Sequence, residues 1–395
     1  MKYALTDDLL SSEDIEGVVT LLRSGDQLTM SKKVAEFEEA FADHLKVEYA
    51  VMVNSGSSAN LVSFAAVTNF AANNQIQPGA EVLIPCVCWS TSMWPIIQLG
   101  LTPVIVDVNP DTFQIDTEDM KRKKTSKTAA VLLVHIIGDC PNMSDVMCWA
   151  NDNDLTVIED TCESLGTTYK GKHLGTFGRF GTFSFYYSHH ITTIEGGMVV
   201  CHTQEDADLL RCLRAHGWAR NMSTYDELVK ASPDVDPRFL FVNVGYNLRS
   251  TEINATLGLS QLKRLDAFNL CRKINFSSIS SALKGHQDLT VSTGEKMADI
   301  AWFAVPITLS PRVSQRLSEY KAYLTANGVD NRPIVSGNFA RQPVLTRLGI
   351  APDPDTLTGA EHIHTHSFYI GLPCIRVLSE DDVKSLVDIL TSFWV

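Results

Sequence analysis

The sequence predicts an α/β fold with a mostly parallel mixed sheet and a smaller C-terminal α+β domain. Three observations point there. Short apolar runs, "YAVMV", "EVLIP", "PVIVDV", "AAVLLVHIIG" and "LTVIED", alternate with helical stretches, and such alternation calls for right-handed crossovers in a sheet flanked by helices. Those runs carry almost no polar alternation, as strands buried on both faces do. Past residue 250 the order changes to a long helical stretch and then a looser α+β pattern, so a large domain is expected over 1–250 and a small one over 251–395.

The elements follow in order. Ser12 is a candidate N-cap for "EDIEGVVTLLRSG", closed by Gly25, and "SKKVAEFEEAFADHL" puts Val34, Phe37, Phe41 and Leu45 on one helical face. Between the strands, "SSANLVSFAAVTNFAA", "TSMWPIIQLG" and "MSDVMCWANDND" read as helices, and "TFSFYY" and "GMVVCHT" continue the sheet. A polar connection containing prolines leads to "STEINATLGLSQLKRLDAFNLCRKINFSSISSAL", which reads as one long helix. The small domain is expected from strand "IAWFAVPITL" and helices "RVSQRLSEYKAYLTANG" and "SEDDVKSLVDILTSFW".

Composition narrows the function. A net charge of −13 over 395 residues argues against a nucleic-acid or anionic-membrane partner. The basic run at Lys121 to Lys124 reads as a solvated helix face. Nine scattered cysteines suit reduced thiols in a cytoplasmic protein. "MKYALTDDLLSSED" turns acidic too early for a secretory signal, and no apolar run reaches the length of a membrane span.

Three motifs carry chemistry. "VNSGSSANL" follows a strand and opens a helix, so the amides of Gly56, Ser57 and Ser58 can cradle a phosphate, although a plain N-cap explains the same residues. "VIEDTCES" places Glu159 and Asp160 at the C-terminal end of a buried strand, where open α/β sheets bind ligands. "SFYYSHHITTIEGGMVV" sets Ser184 five residues before His189, ahead of a Gly-Gly turn. Adjacent histidines without nearby cysteine or carboxylate ligands argue against a metal site.

Together with "LTMSKKVAEFEEAFA" and "GYNLRSTEINATLG", these motifs resemble the DegT/DnrJ/EryC1/StrS sugar aminotransferase family over nearly the whole chain. The resemblance implies the fold of fold-type I pyridoxal phosphate (PLP)-dependent transferases, which is aspartate aminotransferase-like. In that family the position of His189 carries the lysine that holds the cofactor as a Schiff base. An imidazole cannot form that bond, and no lysine lies between Lys172 and Lys230. The implied cofactor, pyridoxal 5′-phosphate or its pyridoxamine form, is therefore bound non-covalently. Histidine still serves as an acid or base, its unperturbed pKa being ~6.5.

This combination is similar to the family's nucleotide-sugar 3-dehydratase branch. "PCVCWSTSMWPIIQLGL", "LRAHGWARN" and "RPIVSGNF" point to the type acting on GDP-4-keto-6-deoxy-D-mannose, in the series leading to colitose. A second type binds a [2Fe–2S] cluster through closely spaced cysteines, which are missing after His189. The resemblance implies that L-glutamate supplies the amino group, that His189 moves the protons, and that ammonia leaves with a 4-keto-3,6-dideoxy sugar. It further implies that Asp160 pairs with the pyridine nitrogen and Trp89 stacks on the ring. Glu163 stands near the ring hydroxyl, where the family usually has glutamine. Gly56, Ser57, Ser58 and Ser184 hold the phosphate, with Asn247 reaching in from a neighbouring subunit of a homodimer. His216, Arg220 and Arg332 are candidates for substrate contacts. Two alternatives stay open: a 4-keto-sugar aminotransferase that tolerates histidine, and a lysine-less cofactor-binding regulator.

Overall fold

In the computed structural model, which describes residues 2–394, a seven-stranded sheet forms the centre. Its spatial order is Tyr49–Val53, Gly197–Cys201, Phe180–Ser184, Thr156–Asp160, Thr128–Val134, Glu81–Pro85 and Thr102–Val106. Gly197–Cys201 runs antiparallel to both its neighbours; the other strands are parallel. Helices cover both faces, so the strands are apolar along their length. Val51, Ile84, Leu132, Ile158 and Val199 belong to one apolar core cluster, and Met52, Phe183 and Val200 to another with Phe37 and Phe41 of the Lys32–Leu45 helix.

The parallel strands end along one edge, and every motif singled out above sits just past such an end. A second, antiparallel sheet runs Leu289–Val291, Val305–Leu309, Ser367–Ile370, Asn331–Pro333. Within the C-terminal part, Trp302 stacks on Phe276, ring centroids 3.9 Å apart. Close by, Arg272 donates to the Phe303 carbonyl at 2.9 Å.

Several element boundaries differ from expectation. Ser11, not Ser12, caps the first helix, because its Oγ accepts the Asp14 N–H while the Asp14 carboxylate accepts the Ser11 N–H. The long helix after residue 250 is two helices, Glu252–Leu262 and Leu265–Leu283, broken at Lys263 and Arg264. Arg264 turns its guanidinium onto Asp14 there, at 2.5 Å. "TFSFYY" stops being a strand at Ser184, and Tyr186 and Tyr187 are exposed. "IAWFAVPITL" is extended strand only from Val305. Among the cysteines, Cys148 is exposed on its helix. Lys121, Arg122 and Lys123 pair with Glu118 and Asp119 of their own helix, as a solvated face does. No helix among the described residues is long and apolar enough to cross a membrane.

Candidate active site

A cavity of about 460 Å³ opens at the C-terminal ends of the parallel strands. Gly56, Ser57, Trp89, Asp160, Glu163, Ser184 and His189 all line it. Their sources differ: a helix N-terminus, a loop after the Glu81–Pro85 strand, the end of the Thr156–Asp160 strand, and the loop after Phe180–Ser184.

The helix N-terminus is built first. Ser55 is extended and its Oγ accepts the Ser58 N–H at 3.1 Å, so Ser58 is spent on the cap and stands back from the cavity. The amides of Gly56 and Ser57 have no partner in the turn and point where an anion gains from the helix dipole. A Cβ on Gly56 would lie 2.6 Å from the Ser184 Cβ and 2.9 Å from the Cys162 Sγ. Only glycine lets the helix end reach Ser184. The Gly-Gly turn has a matching reason, since a Cβ on Gly197 would meet the Ser55 carbonyl oxygen at 2.3 Å.

Three carboxylates at or just past the end of the Thr156–Asp160 strand have different surroundings. Glu159 points away from the cavity and accepts from the N–H groups of Gly175, Phe177 and Gly178 at 2.7–2.8 Å. It also meets the His135 Nε2 at 3.0 Å, with both side chains fully buried. Burial pushes its carboxyl up, but these partners outweigh that and hold it below the ordinary range. Asp160 accepts from Asn60 Nδ2 at 2.8 Å and Ser92 Oγ at 2.7 Å, which fixes its plane at the cavity floor. Glu163 accepts only the Ile137 N–H, at 2.9 Å, and burial pushes its carboxyl up to about 7.

His189 hangs over the same floor. Its backbone N–H donates to the Tyr186 carbonyl at 3.0 Å, closing a turn, while its ring meets Phe303 edge-on at 5.5 Å. Burial lowers its pKa to about 4, so the ring is neutral at pH 7, and its buried Nδ1 has no partner within the chain. His190 turns the other way and its Nε2 bonds the Ala301 carbonyl oxygen at 2.9 Å. Both rings touch Phe303 but make different hydrogen bonds.

The remaining sequence candidates lie outside the cavity. Asn247 is on an exposed loop and its Oδ1 accepts from Arg249 Nε. His216 packs edge-on against Trp218, and the Arg220 guanidinium sits 4.1 Å above the same indole. Arg332 is nearer: it pairs in register with Tyr369, which lines the cavity. Sequence reasoning missed Asn60, Ser92, His135, Phe303 and Tyr369. Asn60 left a signal, a buried amide in an otherwise apolar helix. Phe303 and Tyr369 left none, since chain folding over more than a hundred residues brings them in.

These residues fit a phosphorylated aromatic cofactor. Two unpartnered amides and Ser184 face one end, Asp160 the other, and the apolar edges of Trp89 and Phe303 stand beside them. No lysine lines the cavity among the described residues.

Comparison with known proteins agrees. The chain is 32% identical over 395 residues to GDP-4-keto-6-deoxy-D-mannose 3-dehydratase of Yersinia pseudotuberculosis, covering 99% of this chain and 98% of that protein. The Escherichia coli enzyme of the same name, solved with bound hydrated PLP, superposes with a TM-score of 0.92 at 31% identity, over 99% of this chain and 100% of that one. A structure of GDP-4-keto-6-deoxymannose 3-dehydratase with a trapped PLP-glutamate geminal diamine gives a TM-score of 0.90 at 32% identity, over 98% and 100%. The architecture is thus that of the aspartate aminotransferase-like PLP enzymes. Residues 9–391 match the model of one family, and the chain belongs to it: the DegT/DnrJ/EryC1/StrS aminotransferases.

Proposed function

We propose that this protein is a PLP-dependent 3-dehydratase of a nucleotide-linked 4-keto-6-deoxy sugar, with GDP-4-keto-6-deoxy-D-mannose as substrate and L-glutamate as amino donor. One observation carries the reading: a neutral, cavity-facing imidazole, His189, stands where anchoring chemistry needs a lysine, with the cradle and Asp160 intact around it. A functionless relic has no need of that arrangement.

Bound in the cavity, the pyridoxamine form supplies an amine for the sugar's 4-keto carbon and a ring that accepts the electrons of the bond being broken. Asp160, held by Asn60 and Ser92, keeps a proton on the pyridine nitrogen. Gly56, Ser57 and Ser184 hold the phosphate, and Trp89 covers the ring. His189 takes a proton from the cofactor's 4′ carbon and, once charged, protonates the departing 3-hydroxyl. A buried imidazolium is a strong acid, so the same desolvation that keeps His189 neutral also favours giving that proton away. Oxygen lost from the sugar is balanced by the oxygen gained when glutamate becomes 2-oxoglutarate and ammonia.

The same reading makes the protein a cytoplasmic homodimer in the colitose branch of O-antigen synthesis. Asn247 is then supplied by the second copy and the chain divides into domains near residue 250. Supporting it are the exposed loop that bears Asn247 and the GDP-4-keto-6-deoxymannose that all three relatives above are named for. The test is a product assay with PLP, L-glutamate and GDP-4-keto-6-deoxymannose, following sugar mass, ammonia and 2-oxoglutarate. A 3-deoxy keto-sugar with ammonia released is expected. An amino sugar without ammonia would make the protein an aminotransferase instead.

A further inference from the structure

Three acidic side chains, Glu159, Asp160 and Glu163, share one stretch of chain at the strand end, yet the donors around them are distributed unequally. Glu159 has three backbone N–H groups and a histidine. Asp160 has an amide, a hydroxyl and the Cys162 N–H at 3.2 Å. Glu163 has a single N–H on Oε2, from Ile137, and its Oε1 has no donor within the chain and faces the cavity. Among the described residues no lysine or arginine acts on its charge, whereas the Asp160 carboxylate does.

A carboxylate in such a place has one hydrogen bond, no counter-ion and a like charge beside it. A carboxylic acid fits better: one oxygen accepts from Ile137 and the other carries a proton to give away. We propose that Glu163 works as a neutral carboxylic acid, donating a hydrogen bond from Oε1 to an anionic oxygen of the molecule bound in the cavity. Under the function proposed above, on which this inference rests, that oxygen is the phenolate of the pyridoxal ring.

The surrounding groups agree. Asp160 and Cys162 face Glu163 from its own segment, Tyr369 faces it from the Ser367–Ile370 strand, and His135 and His189 line the same cavity. Burial raises the Tyr369 phenol and the Cys162 thiol, so neither competes as an anion. His189 is neutral near pH 7. Burial and the Asp160 charge lift Glu163 to about 7, against the pull of the Ile137 N–H. Its proton is therefore present below pH 7 and lost above it.

The experiment measures PLP affinity by cofactor fluorescence from pH 6 to pH 9 in wild type and in Glu163→Gln, whose amide donates without titrating. Wild-type affinity is expected to fall by up to roughly tenfold per pH unit above pH 7, as loss of one linked proton requires. The variant should match wild type near pH 6 and hold that affinity as the pH rises. Identical pH dependence in both proteins overturns the proposal. A second readout needs neither the variant's folding nor the cofactor: carbon-13 NMR of glutamate carboxyls in the cofactor-free protein. One carboxyl titrating near 7 is expected; none above the ordinary glutamate range overturns the proposal even if PLP binds normally. PLP failing to bind wild type at any pH would instead remove the proposed function.

Discussion

At the scale of single residues, the proposed chemistry rests on His189. Its side chain is positioned by a backbone turn and two aromatic edges, with no hydrogen bond at Nδ1. Replacing it with asparagine keeps the shape and the polarity but removes the proton carrier. Turnover of His189→Asn should fall by about 10²–10⁴, the usual contribution of a positioned acid or base. PLP affinity should stay within a few fold, because the cradle and Asp160 are untouched; a comparable loss of affinity would mean that His189 binds rather than catalyses. The acid limb of kcat/KM is a separate test. His189 must be neutral to take a proton, and burial lowers it to about 4, so activity should be lost as pH falls through about 4. A limb near 6.5, the value of a solvated imidazole, would contradict the buried geometry.

At the scale of elements, the end of the Thr156–Asp160 strand is the joint on which the site depends. Glu159 ties His135, at the end of the adjacent strand, to the turn formed by Gly175, Phe177 and Gly178. Asp160 and Glu163 are aimed into the cavity by what Glu159 fixes behind them. Glu159→Ala leaves a buried histidine and three buried N–H groups without their partner, which should cost about 3–5 kcal/mol in urea unfolding. A cost under about 1 kcal/mol would mean that water replaces the carboxylate easily. The pH dependence has a defined sign. A carboxyl held low in the folded state adds stability above its unfolded value, and that stability disappears as pH falls through the folded one. Wild type should therefore lose stability toward acid more steeply than Glu159→Ala does. The strand and its acidic end were legible in "VIED", but which carboxylate faces the cavity was not. Alternation along a strand gives two faces, and only the packed turn shows which of them is wet.

At the scale of the whole molecule, the loop bearing Asn247 exposes apolar side chains that a free chain has little reason to expose. Val244 is 73% exposed, and Phe239 and Phe241 are more than half exposed. Such patches mark interaction surfaces, and in the homodimer proposed above a second copy would cover this one and bring Asn247 to the cradle. Val244→Asp should therefore shift the protein toward monomer in sedimentation and weaken PLP binding together. A monomer that binds PLP as wild type does would separate the cradle from the interface. The break between the Glu252–Leu262 and Leu265–Leu283 helices also belongs at this scale. Helical periodicity runs straight through "QLKRLD", and the chain bends because Arg264 finds Asp14, 250 residues away.

The sequence by itself determined the α/β order, the helix start at Gly56, the strand-end acids and an imidazole at position 189. Each rests on local rules: periodicity, helix-end donors, and the inability of an imidazole to do an amine's work. Tertiary structure decided the rest. It supplied Asn60 and Ser92 behind Asp160, brought Phe303 and Tyr369 to the cavity wall, and left Glu163 with one donor and no cation. Those are statements about which groups are excluded from water and which neighbours they keep. Chain separation hides such neighbours from sequence, and burial turns them into shifted protons.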